Sequence, residues 1–268
     1  MPFAAITLCL ALATQVADSH LSPAVDKIER NDVDGLRRLL AKDPSLVRRT
    51  GAGVLSHWRW TLLHVATSEE ASLDVVKALV DAGSDVNAKD NEGNTPLHFA
   101  MKRIGREKFP VRDYEGIIRL LLEKKADVHI VNLGGATALH TAVAFRADPS
   151  AVELLIQAGA DVNLKTLESF DGWTPLHGAA ARGSADVIAV LLKHGADPAA
   201  RDAKGMTPLQ VAERGGFADA AKVLRAATGM KGRPGSSTIR EWPAAMRHAR
   251  PPRQTSTSAP GAFNRPAI

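Results

Sequence analysis

Four histidines, His64, His98, His140 and His177, recur in nearly the same short context. Imidazoles titrate near neutrality and ligate zinc, so a row of them could move protons or hold a metal. Each stands fourth in a T-x-L-H unit: TLLH at 61–64, TPLH at 95–98, TALH at 137–140 and TPLH at 174–177. Rings on successive packed helices fall about 10 Å apart, whereas one zinc draws its ligands to about 2 Å. No HExxH is present and no Asp stands within four residues of any of these four histidines, and the expectation is that they are structural and hold no metal.

Other chemistry is tested the same way. DVNAKDNEGN (85–94) looks like a calcium loop, but that loop needs an oxygen ligand at its fifth position and Gly at its sixth. Lys89 and Asp90 stand there instead, so a turn is expected. The chain lacks GxSxG, GxxxxGK[ST] and GxGxxG, the strand-and-turn motifs of common hydrolases and nucleotide binders. Cys9 is its one cysteine, which excludes an intrachain disulfide and a CxxC site. No catalytic residue, cofactor or small-molecule substrate is expected, and the chain reads as a non-enzyme.

The elements that carry these residues form a repeat. TLLHVA (61–66), TPLHFA (95–100), TALHTA (137–142), TPLHGA (174–179) and TPLQVA (207–212) align, each followed by a second apolar run. A degenerate copy opens at Ser22, so units start at 22, 61, 95, 137, 174 and 207. Thr can cap an orphan helix N–H, and Pro at the next position brings its φ already set. Leu turns inward, and the following alanines let a neighbouring helix approach. Gly93, Gly135, Gly172 and Gly205 stand two residues before the Thr, a place that suits a turn with positive φ. A single helix pair is too thin to bury its own apolar face and must stack on its neighbours.

With its T-P-L-H-x-A signature and a unit near 33 residues, the array resembles ankyrin repeats over residues 22–228. The resemblance implies an all-α solenoid of stacked antiparallel helix pairs with projecting hairpin loops. It also implies structural roles for Thr61, His64, Thr95, His98, Thr137, His140, Thr174, His177 and Thr207, and non-catalytic binding of a partner protein by the loop tips and concave face of a monomer.

Hydrophobic residues make up 45% of the chain and aromatics 4%, so the core must be aliphatic. The net charge of +5 is not spread evenly. Residues 231–268 hold seven Lys or Arg against Glu241 alone, leaving a near-neutral body. That weighs against nucleic-acid binding by the body. The segment 229–268, rich in Pro, Gly, Ser and Arg, reads as a disordered tail, and nucleic-acid association through it is an alternative function. Residues 1–20 form an apolar segment, but no apolar run in the chain reaches the roughly 18 residues that a membrane helix needs. Its AAITLCLALA run (4–13) has the length of a signal-peptide core but no Lys or Arg precedes it. Residues 1–17 as a signal peptide would make the chain exported or periplasmic, as an accessory or immunity-type factor. Otherwise it would be cytoplasmic.

What remains is surface. SHWRW (56–60) carries Trp58 and Trp60, with Arg59 where the other loops have glycine. The loop LKTLESFDGW (164–173) is three residues longer than the pattern and carries Leu167, Phe170 and Trp173. Exposed aromatics are enriched at binding hot spots. The run from Thr95 is nine residues too long, with the excess at Met101–Gly116 holding Lys102, Arg103, Arg106, Lys108 and Arg112. These residues are the candidate contacts for a protein partner, the basic ones for an acidic partner.

Overall fold

The computed structural model describes residues 22–50, 59–68, 71–103, 114–145 and 148–229. Two units divide the chain, residues 1–230 and 231–268, and all described residues lie in the first. The apolar segment 1–20 and the tail beyond Gly229 therefore lie outside the described residues.

The described residues form helices and turns, without strands. Six helix pairs follow one another: α1 (Ser22–Glu29) and α2 (Val33–Lys42); α3 (Leu62–Ser68) and α4 (Leu73–Asp81); α5 (Pro96–Arg103) and α6 (Tyr114–Glu123); α7 (Ala138–Ala144) and α8 (Pro149–Gln157); α9 (Pro175–Arg182) and α10 (Ala185–Lys193); α11 (Pro208–Gly215) and α12 (Ala218–Ala227). Each first helix packs on the first helix of the next pair, and each second helix on the next second helix. The fold is an all-α solenoid.

One aliphatic core runs through every pair. The first helices bury Leu63, Leu97, Leu139, Leu176 and Leu209, and the second helices bury Leu79, Ile118, Leu155, Ile188 and Leu224. Small residues bring the first helices together: Ala142, Ala179, Ala180 and Ala212 are fully buried. The ends are thinner. Helix α12 buries Ala220, Ala221 and Leu224 while Lys222 faces solvent; among the described residues no further pair follows it.

The backbone turn after each second helix shows a departure from the repeat. Gly83, Gly159 and Gly195 close it with φ of 90°, 97° and 85°, whereas Lys125 does so at 68°. Lys125 N–H bonds the Leu122 carbonyl and Ala126 N–H the Leu121 carbonyl, the bonding pattern of a left-handed helix cap that favours glycine. Replacing Lys125 with Gly is expected to stabilise the chain by about 0.5–1 kcal/mol, the left-handed penalty relieved less the gain in unfolded-state freedom. A Cβ on Gly83 or Gly195 would meet nothing within 4 Å. Gly83→Ala should therefore cost about 1 kcal/mol through backbone strain alone. Urea midpoints of the two variants should move in opposite directions; equal or absent shifts would contradict this account of the turn.

Candidate loop-tip interface

The histidines hold the units together. In the second to fifth pairs, Thr Oγ1 lies 2.9, 2.9, 2.9 and 2.8 Å from Nδ1 of His64, His98, His140 and His177. The backbone N–H of Thr61, Thr95, Thr137 and Thr174 donates to the same Nδ1. An Nδ1 that accepts an N–H is unprotonated, which places the ring proton on Nε2. Each Nε2–H then faces the carbonyl of the residue just before the next unit's Thr: Asn94 at 3.2 Å, Ala136 at 3.1 Å, Trp173 at 3.2 Å and Met206 at 3.0 Å, with Leu164 also 3.0 Å from His140. In the last described pair Gln210 Oε1 accepts from Thr207 N–H at 2.9 Å, so the cap survives, with no onward bond among the described residues. Burial pushes the pKa of all four histidines down, to about 4 for His98, where the Ala136 carbonyl opposes the shift and the Lys102 ammonium adds to it. Among the described residues no three metal-ligating side chains come together around one point.

Side chains in the loops set the projecting turns. Asp90 Oδ1 accepts from Glu92 N–H and Asn94 N–H, Asn132 Oδ1 from Gly134 N–H and Ala136 N–H, and Asp202 Oδ1 from Lys204 N–H and Met206 N–H. In the long loop Thr166 takes this place: its Oγ1 accepts from Trp173 N–H at 2.8 Å. The three extra residues form a short 3-10 turn, Glu168–Phe170. Successive tips are joined by backbone bonds, Leu133 N–H to the Glu92 carbonyl, Leu167 N–H to the Gly134 carbonyl and Ala203 N–H to the Asp171 carbonyl. Gly135 is required for that approach, since a Cβ on it would lie 2.8 Å from Leu167 N. A second line of ties runs along the other turns: Asn87 bonds the Lys125 carbonyl and Asp127 N–H, and Asn163 bonds the Gly195 carbonyl and Asp197 N–H.

The sequence candidates separate on this frame. Leu167 and Phe170 are 51% and 58% exposed at the tip of the long loop. Trp173 is half-buried and its Nε1–H reaches Asp202 Oδ2 at 3.3 Å. Trp60, expected on a projecting loop, is instead buried and meets Phe99 edge-on, ring centroids 4.9 Å apart. Its indole fills the space beside α5 and is unavailable to a partner. Lys102 is half-buried with its ammonium 4.8 Å from the Phe99 ring centroid, and burial lowers its pKa. Arg103 is the last residue of α5, and its side chain lies outside the described residues, as do Trp58, Arg106, Lys108 and Arg112.

Sequence reasoning missed Leu133, the most exposed large apolar side chain described, at 68%. It follows Asn132 as Leu167 follows Thr166, where Asn91 and Ala203 stand in the neighbouring turns. Aligning the turns on their Asp, Asn or Thr would have found it. Beneath these tips, against α7 and α9, lies a groove of about 560 Å³.

No helix of the described residues is long and apolar enough to cross a membrane. The family model for ankyrin repeats (3 copies) matches residues 24–132 and 139–231. The chain is similar to the B-cell lymphoma 3 protein homolog of Mus musculus, 28% identical over 84% of this chain and 56% of that protein. It is 37% identical to the neurogenic locus notch homolog protein 1 of Xenopus tropicalis over 57% of this chain and 6% of that protein. With the nuclear factor NF-kappa-B p105 subunit of Gallus gallus it shares 35% identity over 62% of this chain and 16% of that protein. The chain thus spans about half the length of the first of these curated relatives and a small part of the other two. With helix pairs, Thr–His caps and matched residues all in agreement, the chain belongs to the ankyrin-repeat family, whose domains generally mediate protein–protein contacts.

Proposed function

We propose that this chain binds a partner protein, without catalysing a reaction, through its loop tips and the adjoining face of its first helices, and that it does so as a monomer. The observation that carries this reading is the exposure of Leu133, Leu167 and Phe170 on adjacent tips. Their own backbone N–H groups are already bonded within and between the loops, so the turns do not need those apolar side chains outside. Contiguous apolar surface on an otherwise polar edge is the usual mark of a binding site, and aromatic anchors dominate the energetics of such sites.

The test replaces Leu133, Leu167 and Phe170 together with Ser. Both chains are then crosslinked in lysate of the cells that express the protein, and the captured proteins are identified by mass spectrometry. Capture of a specific partner should fall by about tenfold or more, the effect of losing one or two hot-spot side chains. Thermal unfolding should be unchanged, because the three side chains are exposed. Equal capture by both chains would overturn the loop-tip reading.

A further inference from the structure

The groove under the tips has walls of definite chemistry. Val143, Phe145, Phe170 and Trp173 form an apolar lining, Gly178 opens the floor, and Lys102 stands at one end. In the T-x-L-H-x-A motif the residue after His is Val65, Phe99, Thr141, Gly178 and Val211 in the successive pairs. Only the fifth pair has no side chain there. A Cβ on Gly178 would come within 2.8 Å of Val143 Cγ2, so the glycine admits Val143, and both residues line the groove without a bulkier side chain from α9 intruding.

The lining comes from three consecutive units, Lys102 on α5, Val143 on α7 and Gly178 on α9. Two steps of about 10 Å between packed helices give a length of roughly 20 Å. That is the span of about six extended residues, and a longer reach than a compact small molecule needs.

Charge is uneven along it. Lys102 and Arg182 line the groove against one carboxylate, Glu92, which already accepts a bond from Asn94 Nδ2 at 3.1 Å. The Lys102 ammonium is held over Phe99; Glu92 and Asp90 act on its charge from a distance, and no carboxylate among the described residues forms a direct ion pair with it. A half-buried cation beside an apolar trough is completed by an anionic group next to an apolar one.

We propose that this groove takes an extended segment of a partner protein in which an aromatic or large aliphatic side chain sits over Gly178 and an Asp or Glu within about six positions meets Lys102. The inference rests on the protein-binding reading above and names the chemistry of the partner.

A random 12-residue peptide library displayed on phage is panned on the immobilised full chain. Selected peptides should pair a bulky apolar residue with Asp or Glu at that spacing. One selected peptide and its Asp→Asn or Glu→Gln counterpart are then titrated against the chain and its Lys102→Met variant, which removes the charge and keeps a long unbranched side chain. Loss of the peptide acid should weaken binding about tenfold or more on the parent chain, and have no further effect on Lys102→Met. Phe170→Ser, which removes one exposed wall, should weaken every selected peptide. Selection of acid-free or basic sequences, no selection at all, or an acid effect that persists in Lys102→Met would each overturn the proposal. The Ser triple-variant capture result decides the broader reading separately, since crosslinking can register contacts on the tips that never enter the groove.

Discussion

Between pH 6.5 and 4 the folded chain is expected to lose on the order of 3 kcal/mol of stability through His98 alone. The ordinary imidazole value is 6.5 and the folded value about 4, so in this window the unfolded chain binds a proton that the folded chain refuses. Stability is complete above pH 6.5, falls with decreasing pH through the window, and levels off below the folded pKa. His64, His140 and His177 are shifted in the same direction by burial and steepen the fall. Desolvation is only part of the reason. A protonated Nδ1 could no longer accept from the Thr N–H and hydroxyl, so the cap and the ring would oppose each other.

Above about pH 4.5 the shifted carboxylates add little to this fall. Asp32 is held below its ordinary 3.8 mainly by its bond to Lys27, and Glu153 below 4.5 mainly by His194; what they contribute is lost only below those values. Urea unfolding at pH 7.0 and 4.8 isolates the histidines, and His98→Gln isolates His98. The precedent is in the chain: Gln210 caps Thr207 without an onward bond. The variant should be about 1–2 kcal/mol less stable at neutral pH, having given up the tie to the Ala136 carbonyl, yet lose less on acidification. A stability that is flat from pH 7.0 to 4.8, or an equal acid loss in parent and variant, would show that His98 is not the group that titrates.

The same histidines show how far the fold was legible before any coordinates. Period and residue type predicted the T-x-L-H helices because each position answers to one local demand: cap, preset φ, inward leucine, small neighbour. Such demands are written within four residues. Trp60 was misplaced because its destination is set by Phe99, a residue of the next unit that no local rule links to it. Leu133 was missed for a related reason. An apolar residue in a short loop reads as packed, and only the Asn132 turn, which points the tip outward, reveals that it is not. The groove lay further out of reach, since Lys102, Phe145, Phe170 and Gly178 belong to three units and meet only through stacking.

Stacking also sets where a core defect is most damaging. Leu139 on α7 and Leu209 on α11 occupy the same motif position, 0% and 7% exposed. Helix α7 packs on α5 on one side and α9 on the other, besides its own partner α8, whereas α11 packs on α9 and α12. In a quasi-one-dimensional array, stability is a sum of units and of the interfaces between neighbours. Leu139→Ala therefore weakens a unit and two interfaces and is expected to cost about 3–5 kcal/mol, the upper part of the range for buried leucine. Leu209→Ala weakens a unit and one interface, and about 2–3 kcal/mol is expected. The form of the transition should differ as well. A weakened centre uncouples the two halves, so the urea transition of Leu139→Ala should broaden and its apparent m-value fall. Leu209→Ala should leave the main transition steep while amide exchange quickens in α11 and α12 ahead of the rest. Equal shifts of a single transition at unchanged slope would mean that the six pairs unfold as one globular core, and that Thr–His capping and the loop ties join them more tightly than nearest-neighbour stacking requires.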